Sequence, residues 1–301
     1  MPPLRPLFVL FGDSITQRGF APGGWAARLA DRYTRRADVM NRGYSGYNSA
    51  LATHLLPHVF PQARAGAAPR HAPAPTAASL PGGPDGSRAQ GGDAPSLVTV
   101  FLGANDAALP DRMGRRQHVS VATYAANLRR IGEHVRETYR GARAPPALVF
   151  ITPPPVDDAA RVTHGAVRWG AEFDGLPERT LEASGRYAEA CRGVAHALGV
   201  PCVDAWAGFQ QRGAGDAWRA FLDDGLHFAP GGNEALFELL SAAVDAHLPH
   251  LAPAQLPFDF PEWFDVDAEE PVRRSAGHGV ADDLNLTCTA HCGAQAKSFV
   301  R

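Results

Sequence analysis

Short apolar runs alternate along this chain with stretches in which apolar side chains recur every three or four residues. The runs Leu7 to Phe11, Asp38 to Asn41, Leu97 to Leu102, Ala147 to Thr152 and Val200 to Asp204 have the length of buried strands. Between them, Trp25, Leu29 and Tyr33 recur at helical spacing, as do Tyr124, Leu128, Ile131 and Val135. So do Leu181, Ala188, Val194 and Leu198, and a last helix is predicted over about Asn233 to Leu248. Alternating strands and helices predict an α/β fold with a parallel, about five-stranded sheet covered by helices on both faces. The strands read as continuous apolar runs, as strands buried on both faces do.

Two segments break the pattern. Residues 64–95 are rich in Ala, Pro and Gly and almost without large apolar side chains, which predicts a disordered surface insertion. Its entropic cost is small, because each doubling of loop length costs only about 0.6 kcal/mol. The C-terminal stretch is polar and aperiodic from about Pro271. The expected organisation is therefore one domain over 1–250 and an extension over 251–301. Cys288-Thr289-Ala290-His291-Cys292 in that extension does not match a standard zinc spacing, so no metal is expected.

Bulk properties exclude more than they assign. A hydrophobic content of 45% and a charged content of 20% suit a soluble globular protein. A net charge of -2 gives no argument for nucleic acid or an anionic membrane surface. Four cysteines in 301 residues do not make a disulfide framework, and Cys191 and Cys202 are expected to be buried small hydrophobes. The start, Met1-Pro2-Pro3-Leu4-Arg5-Pro6, lacks a signal-peptide core, and no run is long enough to span a bilayer. An intracellular, cytoplasmic location is the resulting expectation, and Asn285-Leu286-Thr287 is then not a glycosylation site.

Chemistry concentrates in four blocks. The first predicted strand ends abruptly in Gly12-Asp13-Ser14-Ile15-Thr16, which sets a serine at the rim of a sheet, where open α/β folds place ligands. Serine is a weak nucleophile until a base removes its proton. Asp224-Gly225-Leu226-His227 supplies a base with a carboxylate three residues before it; among twelve histidines only His227 has one there. The second strand leads into Asn41-Arg42-Gly43-Tyr44-Ser45-Gly46-Tyr47-Asn48-Ser49, and the third into Phe101-Leu102-Gly103-Ala104-Asn105-Asp106. Acyl transfer builds negative charge on the former carbonyl oxygen, and preset N–H donors must meet it. The backbone N–H groups of Ser14 and Gly46 and the side-chain amide of Asn105 are the candidate donors. Glycine at 46 allows substrate and backbone to approach closely. Ser45 is a rival nucleophile, though there it would compete with Gly46 for its place. No Gly-x-Ser-x-Gly elbow and no phosphate-binding loop is present.

These blocks resemble the GDSL, or SGNH, hydrolases, whose Ser, Gly, Asn and His correspond to Ser14, Gly46, Asn105 and His227, with Asp224 as the partner of the histidine. The resemblance is closer to the isoamyl acetate-hydrolysing esterase branch, on Leu10 to Gln17, Asn41-Arg42-Gly43, Phe101 to Ala107, Ile151-Thr152-Pro153-Pro154-Pro155 and Asp224 to Phe228. It covers about Leu7 to Leu248 outside the insertion. It implies one flavodoxin-like three-layer domain, a serine esterase without metal or organic cofactor, and small, acetate-type ester substrates. Asp13 and Asp106 are expected to be structural acceptors of loop N–H groups, and Pro153, Pro154 and Pro155 to stiffen a wall of the site. The alternatives are a lysophospholipase or thioesterase, a sugar acetylesterase, and a binding module without turnover. Oligomeric state is open.

Overall fold

Every residue of β1 (Leu7–Gly12) after the first is buried, and the strand serves two cores by alternation. Phe8 and Leu10 point to one face, Val9 and Phe11 to the other. The same alternation runs through β3 and β4, which is why the sequence shows apolar runs and no polar stripe. The computed structural model describes residues 5–61, 94–213 and 215–263. Residues Pro3–Phe260 cluster as one compact unit.

The elements follow in the order β1, α1 (Ser14–Gln17), α2 (Trp25–Arg32), β2 (Asp38–Gly43), α3 (Ser49–Val59), β3 (Leu97–Phe101), α4 (Val121–Thr138), β4 (Ala147–Ile151), α5 (Asp158–Trp169), α6 (Leu181–Leu198), β5 (Cys202–Val203), α7 (Ala205–Arg212) and α8 (Pro230–His247), with short 3₁₀ turns between some of them. The sheet is parallel throughout, in the order β2-β1-β3-β4-β5. Side chains of α2, α7 and α8 fill one core, with Trp25, Leu29, Phe209, Leu236 and Leu240 at its centre. Side chains of α3, α4 and α6 fill the other, around Leu56, Tyr124, Leu128, Ile131 and Val194. This is the expected three-layer α/β/α domain.

Local chemistry sets the element boundaries. Asn48, Ser120, Asp157, Thr180 and Asp204 cap α3 to α7 by accepting backbone N–H groups of the first turn. Helix α8 starts at Pro230, three residues before the expected Asn233, because proline suits a first turn that needs no N–H. Strand β5 is shorter than the expected Val200 to Asp204. Gly199 ends α6 in the left-handed region, Pro201 has no N–H to pair, and Asp204 turns to cap α7. Cys191 is buried, whereas Cys202 is only half-buried in this short last strand, which corrects the expectation for it; both thiols are free.

Beyond α8 the chain continues in two 3₁₀ turns along the end of α2. Tyr33 Oη donates to Leu251 O at 2.9 Å, Arg36 Nη1 to Pro253 O at 2.7 Å, and Asp259 accepts from Arg5 Nε at 2.8 Å. The expected insertion over 64–95, except Ala94 and Pro95, lies outside the described residues. So do the tail from 271, the Cys288 to Cys292 stretch and Asn285. No helix among the described residues is long and apolar enough to cross a membrane.

Candidate active site

Strand order reverses between β1 and β3, which makes the carboxyl ends of these strands a topological switch point where a crevice opens. Gly12, the last residue of β1, pairs with Gly43 of β2 and Phe101 of β3. The three Gly-rich blocks thus leave the sheet side by side. An added Cβ at Gly43 would stand 2.0 Å from Gln17 N, so only glycine lets β2 pass under α1. Asn41 fastens the same junction: its Nδ2 donates to Thr16 O at 2.7 Å and its Oδ1 accepts from Gly43 N at 2.9 Å.

Ser14 begins α1, where the first backbone N–H groups have no acceptor within a helix. Asp13 caps that turn, accepting from Ile15 N at 2.9 Å. Ser14 is 7% exposed, enough for a small group to reach it and little enough to exclude bulk water. Its Oγ lies 2.8 Å from His227 Nε2, across a separation of 213 residues. His227 Nδ1 lies 2.8 Å from Asp224 Oδ2. A carboxylate at Nδ1 demands a proton there, so the hydrogen-bond network assigns Nε2 as the acceptor facing the serine hydroxyl. Ser45 is exposed, and its N–H donates to Gln17 Oε1 at 2.8 Å; the imidazole meets Ser14.

One turn presents both carboxylate and imidazole. Asp224 Oδ1 accepts from Leu226 N at 3.0 Å and His227 N at 2.9 Å, and Asp223 N donates to His227 O at 2.7 Å. Gly225 turns the chain at φ +82°, with Asp157 O and Ala160 Cβ 2.8 Å from where a Cβ would sit. Burial alone would raise the Asp224 carboxyl. The hydrogen bonds from His227, its charge and that of Arg161 outweigh burial and hold Asp224 well below the usual carboxylate range. His164 also approaches, with Nδ1 3.7 Å from Asp224 Oδ2. Burial and the Arg161 charge push this second imidazole below its ordinary value.

Gly46 and Asn105 flank the serine block. Gly46 is half-buried at φ +81°. Asn105 Nδ2 donates to Tyr47 O at 2.8 Å, and its Oδ1 accepts from Gln117 Nε2 at 2.9 Å and Arg179 Nη2 at 3.3 Å. One N–H of the Asn105 amide therefore remains for a ligand. Asp106 accepts both the N–H of Ser49, at 2.9 Å, and its hydroxyl. Asp13 and Asp106 accept backbone N–H groups as expected, but those of the first turns of α1 and α3 and not of loops. Pro153, Pro154 and Pro155 are buried at the end of β4, with Pro153 Cγ close beside Gly103.

Sequence reasoning missed a buried charged chain beneath the site. Arg161, Glu178 and Arg179 are each no more than 3% exposed. Arg161 Nη1 donates to Asp224 O at 3.0 Å, and Arg161 Nε to Glu178 Oε1 at 3.0 Å. Glu178 Oε1 also accepts from Arg179 Nη1 at 2.8 Å, and Arg179 Nε donates to Ala104 O at 2.7 Å. The chain runs from the Asp224 turn to the Asn105 loop. Glu178 Oε2 has no partner among the described residues. No group of His, Cys, Asp and Glu among the described residues could hold a metal ion. The signal that could have found this chain is the adjacent Glu178-Arg179 pair just before a helix cap, a weak cue in a chain with many arginines.

A family model described as GDSL-like Lipase/Acylhydrolase matches residues 8–240. A GDSL esterase/lipase of Arabidopsis thaliana is 39% identical over 271 residues, covering 90% of this chain and 97% of its own length. The isoamyl acetate-hydrolyzing esterase 1 homolog of Bos taurus is 35% identical over 280 residues, covering 92% of this chain and 95% of its own. The crystal structure of a lipase/acylhydrolase from Enterococcus faecalis has the same fold at TM-score 0.53 and 21% identity, over 84% of this chain and 98% of that one. A serine at the end of β1, a His and Asp in the turn before α8, and a family match spanning nearly the whole described domain lead to one conclusion: the chain belongs to the GDSL-like lipase/acylhydrolase family and is a serine ester hydrolase.

Proposed function

We propose that the hydrolase works through a Ser14–His227–Asp224 triad on short-chain, acetate-type esters, with the catalytic unit within residues 1–250. The observation that carries this reading is the pair of 2.8 Å contacts, Ser14 Oγ to His227 Nε2 and His227 Nδ1 to Asp224 Oδ2. Ser14 Oγ attacks the ester carbonyl carbon as its proton passes to His227 Nε2. Asp224 stabilises the imidazolium and does not itself take the proton. The carbonyl oxygen becomes an oxyanion, met by the N–H groups of Ser14 and Gly46 and by the free N–H of Asn105 Nδ2. The tetrahedral intermediate expels the alcohol, which takes the proton from His227. Water then attacks the acyl-serine with His227 again as base, releasing the acid and restoring Ser14. Each step uses only the chain's own residues, ester and water.

Acetate-type specificity rests on the likeness to isoamyl acetate-hydrolyzing esterase homologs. The alternatives, a lysophospholipase or thioesterase and a sugar acetylesterase, use the same machinery on other leaving groups or acyl chains. Turnover of esters of increasing acyl length by wild type and Ser14→Ala separates the long-acyl readings, and acetylated sugars against alkyl acetates separate the sugar acetylesterase. The expected result is highest kcat/KM on acetyl esters and no turnover above background by Ser14→Ala. A rise toward long acyl chains contradicts the acetate assignment, and an active Ser14→Ala contradicts the nucleophile.

A further inference from the structure

We propose that Gln117 is a positioning residue for the oxyanion hole, locked in place by Arg179 and acting on Asn105 and Gly46 together. The inference rests on the reading of Asn105 and Gly46 as oxyanion donors.

An amide side chain can turn by half a rotation and exchange its oxygen for its nitrogen, so its partners decide which end is the donor. Asn105 can help an oxyanion only if Nδ2, and not Oδ1, faces the ester. Two donors converge on its Oδ1, Gln117 Nε2 at 2.9 Å and Arg179 Nη2 at 3.3 Å, while Tyr47 O accepts from Nδ2 at 2.8 Å. A flipped Asn105 would set oxygen against the Tyr47 carbonyl and nitrogen against two N–H groups.

Gln117 has the same ambiguity, and a charge resolves it. A guanidinium can only donate. Arg179 Nη2 reaches Gln117 Oε1 at 2.6 Å, so the other end of that amide must be Nε2. Nε2 then spends both N–H groups, on Asn105 Oδ1 at 2.9 Å and on Gly46 O at 3.0 Å. Arg179 is fixed in turn by Glu178 Oε1 at 2.8 Å and by Ala104 O at 2.7 Å. Polarity is thus handed from a buried ion pair to Gln117, and from Gln117 to both loops. Gln117 lies in a 3₁₀ turn, twelve residues after Asn105, and is half-buried, so it tolerates replacement better than Arg179 does.

The test uses the full chain and 4-nitrophenyl acetate as the probe ester. Gln117→Glu keeps an acceptor for Arg179 but removes both donors; Gln117→Leu removes donors and acceptor without adding a charge. Both are expected to lower kcat about tenfold with KM changed by less than about threefold, since a displaced oxyanion donor is felt in the transition state. The discriminating readout is a double-mutant cycle. A residue acting through Asn105 loses most of its effect once that amide is gone, so in an Asn105→Ala background the Gln117→Leu penalty falls to about threefold or less. Both Gln117 variants within about twofold of wild-type kcat, or an undiminished penalty in the Asn105→Ala background, overturn the proposed action on Asn105 and Gly46 together. If Asn105→Ala by itself turns over at the wild-type rate, the oxyanion reading falls too; if it is slow while the Gln117 variants are not, only the inference falls.

Discussion

Asp13, Asp106 and Asp224 stand around one small site, and their surroundings give three carboxyl groups different properties. Asp224 is held low by His227 and Arg161, against its burial. Burial pushes Asp13 up to about 7, against the hydrogen bond from Ile15. Burial likewise pushes Asp106 up to about 6, against those from Ser49. The stability consequences have opposite signs. For Asp13 the native state binds its proton more tightly than the unfolded chain. Its contribution is therefore full below about pH 4 and is lost as pH rises through about 7. Asp224 is the reverse: its contribution is present above about pH 4 and is lost on further acidification. Asp13→Asn keeps the cap acceptor without the titration, so its midpoint of unfolding should vary less between pH 4 and 7 than that of wild type. A slope equal to that of wild type contradicts a buried, titrating Asp13. Asn105→Ala is expected to fold normally and lose about 10²-fold in kcat, the usual cost of one oxyanion donor, as steady-state kinetics will show. At this scale Ser14, Gly46, Asn105, Asp224 and His227 could be named as candidates because each follows a strand run or stands in a distinctive spacing, and the contacts from Ser14 to His227 and from His227 to Asp224 are those expected. Gln117 could not be named, because its neighbours in sequence say nothing of the amide and guanidinium that fold against it.

Strands were the easiest elements to read. The expected starts of β1 to β4 match those observed; β1, β3 and β4 are uninterrupted apolar runs, whereas β2, at the sheet edge, is mixed and only half-buried. Helices α2, α4, α6 and α8 show their apolar periodicity plainly. Helices α3, α5 and α7 were not singled out, and each has a reason. Helix α3 carries Pro57 in its last turn, α5 buries only Arg161 and Gly165, and α7 buries a single large apolar side chain, Phe209. Helix α5 is the one whose omission cost most, since its buried face is a charge aimed at the Asp224 turn. The glycines make a test at this scale. A Cβ at Gly43 would meet the backbone of Thr16 and Gln17, which cannot move as a side chain can. Gly43→Ala should destabilise by about 2 kcal/mol or more, as forced overpacking does. Gly193, exposed within α6, has nothing near its Cβ position, and Gly193→Ala should stabilise by up to about 1 kcal/mol through helix propensity. Denaturant unfolding of the two variants measures both. Equal effects would mean that the β2–α1 junction is looser than its contacts imply.

Across the whole molecule, function depends on a sheet that converts sequence distance into proximity. The parallel order β2-β1-β3-β4-β5 brings three strand ends to one edge, and in the turn before α8 residue 227 meets residue 14. The shared strand edge could be anticipated from the alternation of strands and helices; the meeting of residues 14 and 227 rested on the chemistry that pairs a serine with a base. The buried chain from Arg161 through Glu178 to Arg179 could not, because it joins the turn before α8 to the loop after β3 through segments with no shared motif. Such a chain is costly to break, since removing one partner leaves a buried charge without compensation. The measurement that tests the account most directly is peptide mapping by mass spectrometry after the protein reacts with a fluorophosphonate, a probe that labels activated serines. A single adduct is expected on the peptide containing Ser14, lost in Ser14→Ala and strongly slowed in His227→Ala. An adduct on Ser45, or labelling unchanged by either substitution, would contradict it.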